Sequence, residues 1–122
     1  MSIKIKEVAF ICHTVADVPR ARDFYEKLLG LTPTMNMEFA PGIWWIEYEM
    51  AGVALAVTNS QPPTGAGGAS LALEVENLDE AHASVKAAGI PLAFDKMDFP
   101  PCRIFGVASP DGYSVMFHQR KA

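Results

Sequence analysis

Cysteine is scarce: Cys12 and Cys102 are the only two in 122 residues. Neither belongs to a C-x-x-C pair or a spaced Cys/His cluster, which excludes zinc-finger-type sites. Two cysteines make no disulfide framework at this length, and free thiols in a reducing cytoplasm are the expectation. No apolar run approaches the ~20 residues of a membrane span. The opening segment, Met1 to Glu7, is charged and has no apolar signal core, so no secretion signal is expected. Basic residues are too few for a nucleic-acid surface: Lys and Arg number 10 against 14 Asp and Glu, and the net charge is −4. The Pro- and Gly-rich stretch Asn59 to Ala69 lacks the Gly-Lys-Ser/Thr of a phosphate-binding loop and reads as a connection.

What is present is a core. Half the residues are hydrophobic, and a chain of this size hides roughly two-thirds of its unfolded surface. One domain is the expectation. It is organised around Ala9 to Gly30. The first half, through Val15, is rich in β-branched and apolar residues and predicts a strand, about residues 4–15. Asp17 offers an N-cap oxygen. Ala21, Phe24, Tyr25 and Leu28 follow at helical spacing, and Gly30 stands where a helix end needs a left-handed residue.

The same plan recurs 60 residues on. Val15, Asp17, Val18 and Ala21 match Val75, Asn77, Leu78 and Ala81, and Gly52 to Val57 matches Gly112 to Phe117. Two halves in register argue for a tandem duplication. The predicted order is βαβββ twice, an α+β fold with module one over about 4–58 and module two over about 70–119. Each half is expected to form a curved sheet with its helix on the convex side. Expected strands include Thr32 to Phe39, Ile43 to Glu49, Val53 to Thr58, Ser70 to Glu76, Pro91 to Asp95, Cys102 to Ala108 and Tyr113 to Gln119.

Val15-Ala16-Asp17, the Arg and Ala that follow, and Phe24-Tyr25-Glu26-Lys27-Leu28-Leu29-Gly30 resemble the vicinal oxygen chelate superfamily. That superfamily holds glyoxalase I, bleomycin-resistance proteins, extradiol dioxygenases and methylmalonyl-CoA epimerase. The Pro110-Asp111-Gly112-Tyr113 turn before an apolar strand is a second shared mark. The resemblance implies a concave active site and a homodimer. Pairing of copies would also cover exposed sheet edges. It is specific for fold and weak for activity, since one fold here serves many chemistries.

Metal-dependent members of that superfamily use a His on the first strand of each half and an acid on the fourth. Carried over by spacing, the four positions here are Phe10, Ala56, Ser70 and Met116. Phe and Ala carry no donor, Ser a neutral hydroxyl and Met a soft thioether, a poor set for Zn²⁺, Ni²⁺, Mn²⁺ or Fe²⁺. No metal or other cofactor is expected. Strand alternation puts Phe10, Cys12, Thr14, Ala54, Ala56, Thr58, Ser70, Ala72, Glu74, Ser114, Met116 and His118 on the concave face, with Trp45, Glu47 and Glu49 as further candidates. His13 faces the helix and reads as a structural histidine. In the fold this resemblance implies, strands one and four of a half are expected to run antiparallel with Ser70 opposite Met116, which puts Glu74 and His118 roughly 20 Å apart, too far to share an ion.

An apolar wall with a few fixed polar groups suits a small-molecule pocket. The expected function is metal-independent binding of an apolar or aromatic ligand, with Phe10, Cys12, Thr14, Trp45, Glu47, Ala56, Ser70, Ser114 and Met116 as lining. The alternative is an enzyme, a lyase, isomerase or dioxygenase with displaced metal ligands or a metal-free acid/base site at His118 or Glu74. A small molecule and a second copy of the chain are the expected partners, with no nucleic acid and no membrane.

Overall fold

The computed structural model describes residues 4, 6, 8–65 and 71–122. Among them, eight strands form two four-stranded sheets, each beside one helix. In the first module, strand β1 (Ile11–Thr14) leads to helix α1 (Val18–Arg22), which runs on as a π-helical turn over Asp23–Leu28. Strands β2 (Pro33–Ala40), β3 (Ile43–Met50) and β4 (Val53–Thr58) follow. The second module repeats this with β5 (Leu71–Glu74), α2 (Leu78–Ala87), β6 (Leu92–Asp98), β7 (Cys102–Ala108) and β8 (Ser114–Arg120). The strand orders are β1-β4-β3-β2 and β5-β8-β7-β6.

The duplication holds at the level of bonds. The Asp17 side chain accepts from the Arg20 N–H and the Asn77 side chain from the Glu80 N–H, each at 3.0 Å. Gly30 and Gly89 end the two helices at φ +70° and +71°, a left-handed conformation that a Cβ would strain. Ile11 pairs with Leu55, and 60 residues on Leu71 pairs with Val115.

Two expectations are corrected. The first strand starts at Ile11, so Phe10 stands just before it. More consequentially, β1 runs parallel to β4, and β5 parallel to β8. The reason is topological. The helical crossover carries the chain back to the end of the sheet where it started, so β2 points the way β1 does. Two hairpins later, β4 points that way again.

One face of each sheet carries the core. Ile46, Tyr48, Leu55 and Val57 meet Val18, Ala21, Phe24 and Tyr25 of the first helix. Phe105, Val107, Val115 and Phe117 meet Leu78 and Val85 of the second. The π-helical turn, marked by the bond from the Leu29 N–H to the Phe24 carbonyl, sends the consecutive Phe24 and Tyr25 both inward. Tyr25 then reaches His13, its hydroxyl 2.6 Å from His13 Nδ1.

His13 is buried, as its place under the helix predicts, and its ring lies flat against Tyr113 of the second module at 4.2 Å. Burial pushes the imidazole below its ordinary value. In the unfolded chain it ionises near pH ~6.5, and in the folded chain only at lower pH. Between the two the unfolded chain holds more protons. Stability from this group is therefore full above about pH 6.5 and falls as pH drops, by at most ~1.4 kcal/mol per pH unit, until the folded value is passed. Urea denaturation midpoints across this window should decline in the wild type. They should decline less in His13→Gln. A variant that keeps the whole decline would remove His13 from the account.

Candidate functional site

The helix-free faces are read from strand pairing. Cys12, Ala56, Glu47 and Met35 stand side by side across the first sheet, and Thr14, Thr58, Trp45 and Met37 form the next row. These positions alternate with the buried Ile46, Tyr48, Leu55 and Val57, so they face away from the helix. Trp45, Glu47 and Glu49, whose facing the sequence leaves open, belong to this concave face. Phe10, though outside the strand, packs its ring edge-on to Trp45 at 5.4 Å and 86°.

Trp45 is half-buried, and its indole Nε1 donates to Glu47 Oε2 at 2.6 Å. Both polar groups are thus partly committed to each other, which leaves the indole ring as an apolar surface. Met35 and Met37 beside it are 43% and 46% exposed, and Phe10 is 44% exposed. Large apolar side chains left this open together on one face are the kind of surface that interaction sites present.

Thr14 has a different job. It sits on the same face, but its hydroxyl donates to the Pro62 carbonyl and lies 2.6 Å from the Tyr113 hydroxyl. It belongs to the seam between modules rather than to an open wall. Cys12 is exposed, and partial burial raises its thiol. Among the described residues no side chain hydrogen-bonds to it, and His13 beside it turns to the other side of the strand, so the structure shows nothing that activates the thiol.

In the second sheet, Ala72, Met116 and Gly106 form one row, and Glu74, His118 and Ile104 the next. Phe94 covers Gly106: a Cβ there would meet its ring at 2.3 Å. Gly106 alternates with the buried Phe105 and Val107, so the Phe94 ring lies across the helix-free face. Ser114 is half-buried opposite Ala108, at the start of β8. Ser70 lies outside the described residues.

The parallel register overturns the separation of Glu74 and His118. They are cross-strand neighbours, with His118 Nδ1 2.6 Å from Glu74 Oε1. The Arg120 N–H donates to the other oxygen, Oε2, at 2.8 Å. The Arg120 N–H first, and then His118, hold the Glu74 carboxyl below its ordinary range. The sequence carried the signal, since both residues were candidates; the strand direction was the error.

The donor set at the superfamily's metal positions does not fit a divalent cation. Of the described three, Phe10 and Ala56 have no lone pair to offer and Met116 has a thioether. Among the described residues no group of three His, Cys, Asp or Glu side chains converges as ligands would. Sequence reasoning missed one feature, a hollow of about 720 Å³ on the helix side between the modules. Leu28, Leu31, Met50, Leu73, Val85 and Phe117 line it, and along the edge strand β5 its lining also takes in Ala72 and Glu74, whose positions alternate to the helix-free face.

The sequence matches the family model of the Glyoxalase/Bleomycin resistance protein/Dioxygenase superfamily over residues 7–117. Among solved structures, TnmS3, an antibiotic binding protein from Streptomyces sp. CB03234, is similar at TM-score 0.81 and 22% identity, over 98% of this chain and 100% of that one. The fosfomycin resistance protein FosX from Listeria monocytogenes is similar at TM-score 0.79 and 13% identity, over 97% and 96%. A superfamily member from Sphaerobacter thermophilus DSM 20745 follows at TM-score 0.74 and 21% identity, over 95% and 98%. No curated protein gave a significant match. At these identities the structures speak for the fold. The family match spans nearly the whole chain, and the chain belongs to the Glyoxalase/Bleomycin resistance protein/Dioxygenase superfamily.

Proposed function

We propose that this member of the superfamily binds an apolar or aromatic small molecule on its helix-free faces, without a metal, as a homodimer. The observation that carries the reading is the open apolar surface itself. Phe10, Met35 and Met37 in the first module and Met97 in the second, 46% exposed, are left uncovered within the chain. Trp45 gives that surface a rigid aromatic wall and Glu47 a fixed polar group, the composition a small-molecule site needs. Methionines adapt their shape to varied ligands. A second copy laid across these faces would turn two open surfaces into an enclosed cavity and cover apolar area that one chain leaves in water. Among the structural neighbours, one is an antibiotic binding protein and one a fosfomycin resistance protein, which supports a ligand-binding role for this architecture. Among the described residues no helix is long and apolar enough to cross a membrane. A cytoplasmic place fits the two free thiols.

The test has two readouts. Sedimentation of the protein should give a dimer. Titration with naphthalene, followed by tryptophan emission, should saturate. A monomer in which naphthalene never saturates the signal would remove the proposal. One observation favours a second reading, an enzyme with a metal-free acid/base site: the contact between Glu74 and His118.

A further inference from the structure

We infer that Glu74 and His118 form a proton-accepting pair that receives a ligand bearing a weakly acidic hydroxyl group, a phenol or an enol, on the helix-free face of the second module. The inference rests on the reading of these faces as an aromatic-binding surface, and it names the polar group the ligand must carry.

His118 faces that surface because its chain neighbours do not. Phe117 stacks on Phe105 under the helix at 4.8 Å, and the Gln119 side chain accepts from the Leu78 N–H at the start of α2. His118 therefore stands on the opposite side, between Glu74 on β5 and Ile104 on β7. Its side chain is 28% exposed and that of Glu74 46%.

The protonation state follows from the bonds. An ionised carboxylate only accepts, and the Arg120 N–H already occupies Oε2. The 2.6 Å contact at Oε1 must then carry a proton on His118 Nδ1. In the neutral imidazole this leaves the lone pair on Nε2. Among the described residues Nε2 has no partner. The carboxylate fixes the orientation of the ring, and an imidazolium formed when Nε2 takes a proton would keep its Nδ1–H on Glu74.

The surroundings fit an aromatic ring. Ile104 stands opposite His118, Met97 opposite Ile104, Met116 two residues earlier on the same face, and the Phe94 ring beside them over Gly106. A ring resting there would aim its hydroxyl at Nε2. The O–H proton passes to Nε2, the imidazolium keeps its Nδ1–H on Glu74, and the phenolate oxygen keeps the hydrogen bond to Nε2–H. Only the O–H bond breaks, and no co-reactant is needed.

Two probes separate the hydroxyl from the ring: para-nitrophenol, and para-nitroanisole, in which the hydroxyl is methylated. The protein should bind para-nitrophenol at least about tenfold more tightly, a difference of ~1.4 kcal/mol. Bound probe should show the yellow of the phenolate at a pH where free probe is still largely colourless. His118→Phe should abolish the colour and the preference for para-nitrophenol over para-nitroanisole. Glu74→Gln, which keeps a side chain of the same shape but no charge, should lose the colour and keep part of the affinity. Equal affinity for the two probes, or a preference that survives His118→Phe, overturns the inference and leaves the apolar surface standing. If neither probe binds, both that surface and the inference fall.

Discussion

Replacing Tyr113 by alanine should cost about 4 kcal/mol of stability, the range for truncating a buried aromatic ring, and Tyr113→Phe about 2 kcal/mol. Tyr113 joins the two modules. Its ring lies flat on His13. Its oxygen accepts from the Thr14 N–H at 3.1 Å and the Thr64 N–H at 3.2 Å. The Thr14 hydroxyl gives its own proton to the Pro62 carbonyl, so the Tyr113 hydroxyl donates to Thr14 Oγ1 at 2.6 Å. Burial alone would raise the phenol, but the donors from Thr14 and Thr64 outweigh it and leave it below its ordinary value. Asp111 of the same turn adds a bond from the Ala16 N–H at 2.9 Å. Phenylalanine keeps the stacking and strands these partners, which explains the smaller loss. Urea denaturation followed by circular dichroism reads both variants. A phenylalanine variant within about 0.5 kcal/mol of the wild type would mean that this oxygen does not hold the seam.

Trp45→Ala should weaken naphthalene binding at least about tenfold, or ~1.4 kcal/mol, and Trp45→Phe should restore most of it. The indole offers the largest rigid apolar surface on the helix-free face of the first module, and aromatic partners gain energy beyond the area they bury. Its one polar group is satisfied internally by Glu47, so the ligand meets no penalty for a group left unpaired. Phe10, edge-on to it, would lose its neighbour in the alanine variant. Because Trp45 is itself the reporter, calorimetry or equilibrium dialysis replaces emission here. Unchanged affinity in Trp45→Ala would place the ligand elsewhere, with the helix-side hollow the next candidate.

The local features of this fold were legible because their causes are local. Asp17 and Asn77 cap their helices through their own side chains, and Gly30 and Gly89 end them through their own backbone freedom. The 60-residue repeat carried the rest of the architecture, since what one half shows the other repeats. Strands β4 and β7 fall on their expected residues, and β2, β3, β6 and β8 shift at their ends by up to three. The direction of β1 against β4 was not legible from either strand alone. It depends on what the intervening chain does, and reading it wrongly separated Glu74 from His118. The π-helical turn leaves no mark in apolar spacing, because one extra residue per turn is absorbed within a single turn. The seam role of Thr14 was hidden too, since its partners at Pro62, Thr64 and Tyr113 lie far along the chain.

Metal independence is tested most directly by one titration. Untagged protein, stripped with a chelator, is divided and challenged with Zn²⁺, Ni²⁺, Mn²⁺ or Fe²⁺, analysed for bound metal, and titrated with naphthalene against the stripped control. No stoichiometric tight metal and the same affinity in every sample are expected. One tightly held metal per chain, or binding that appears only after a metal is added, would contradict metal independence and return Phe10, Ala56, Ser70 and Met116 to question.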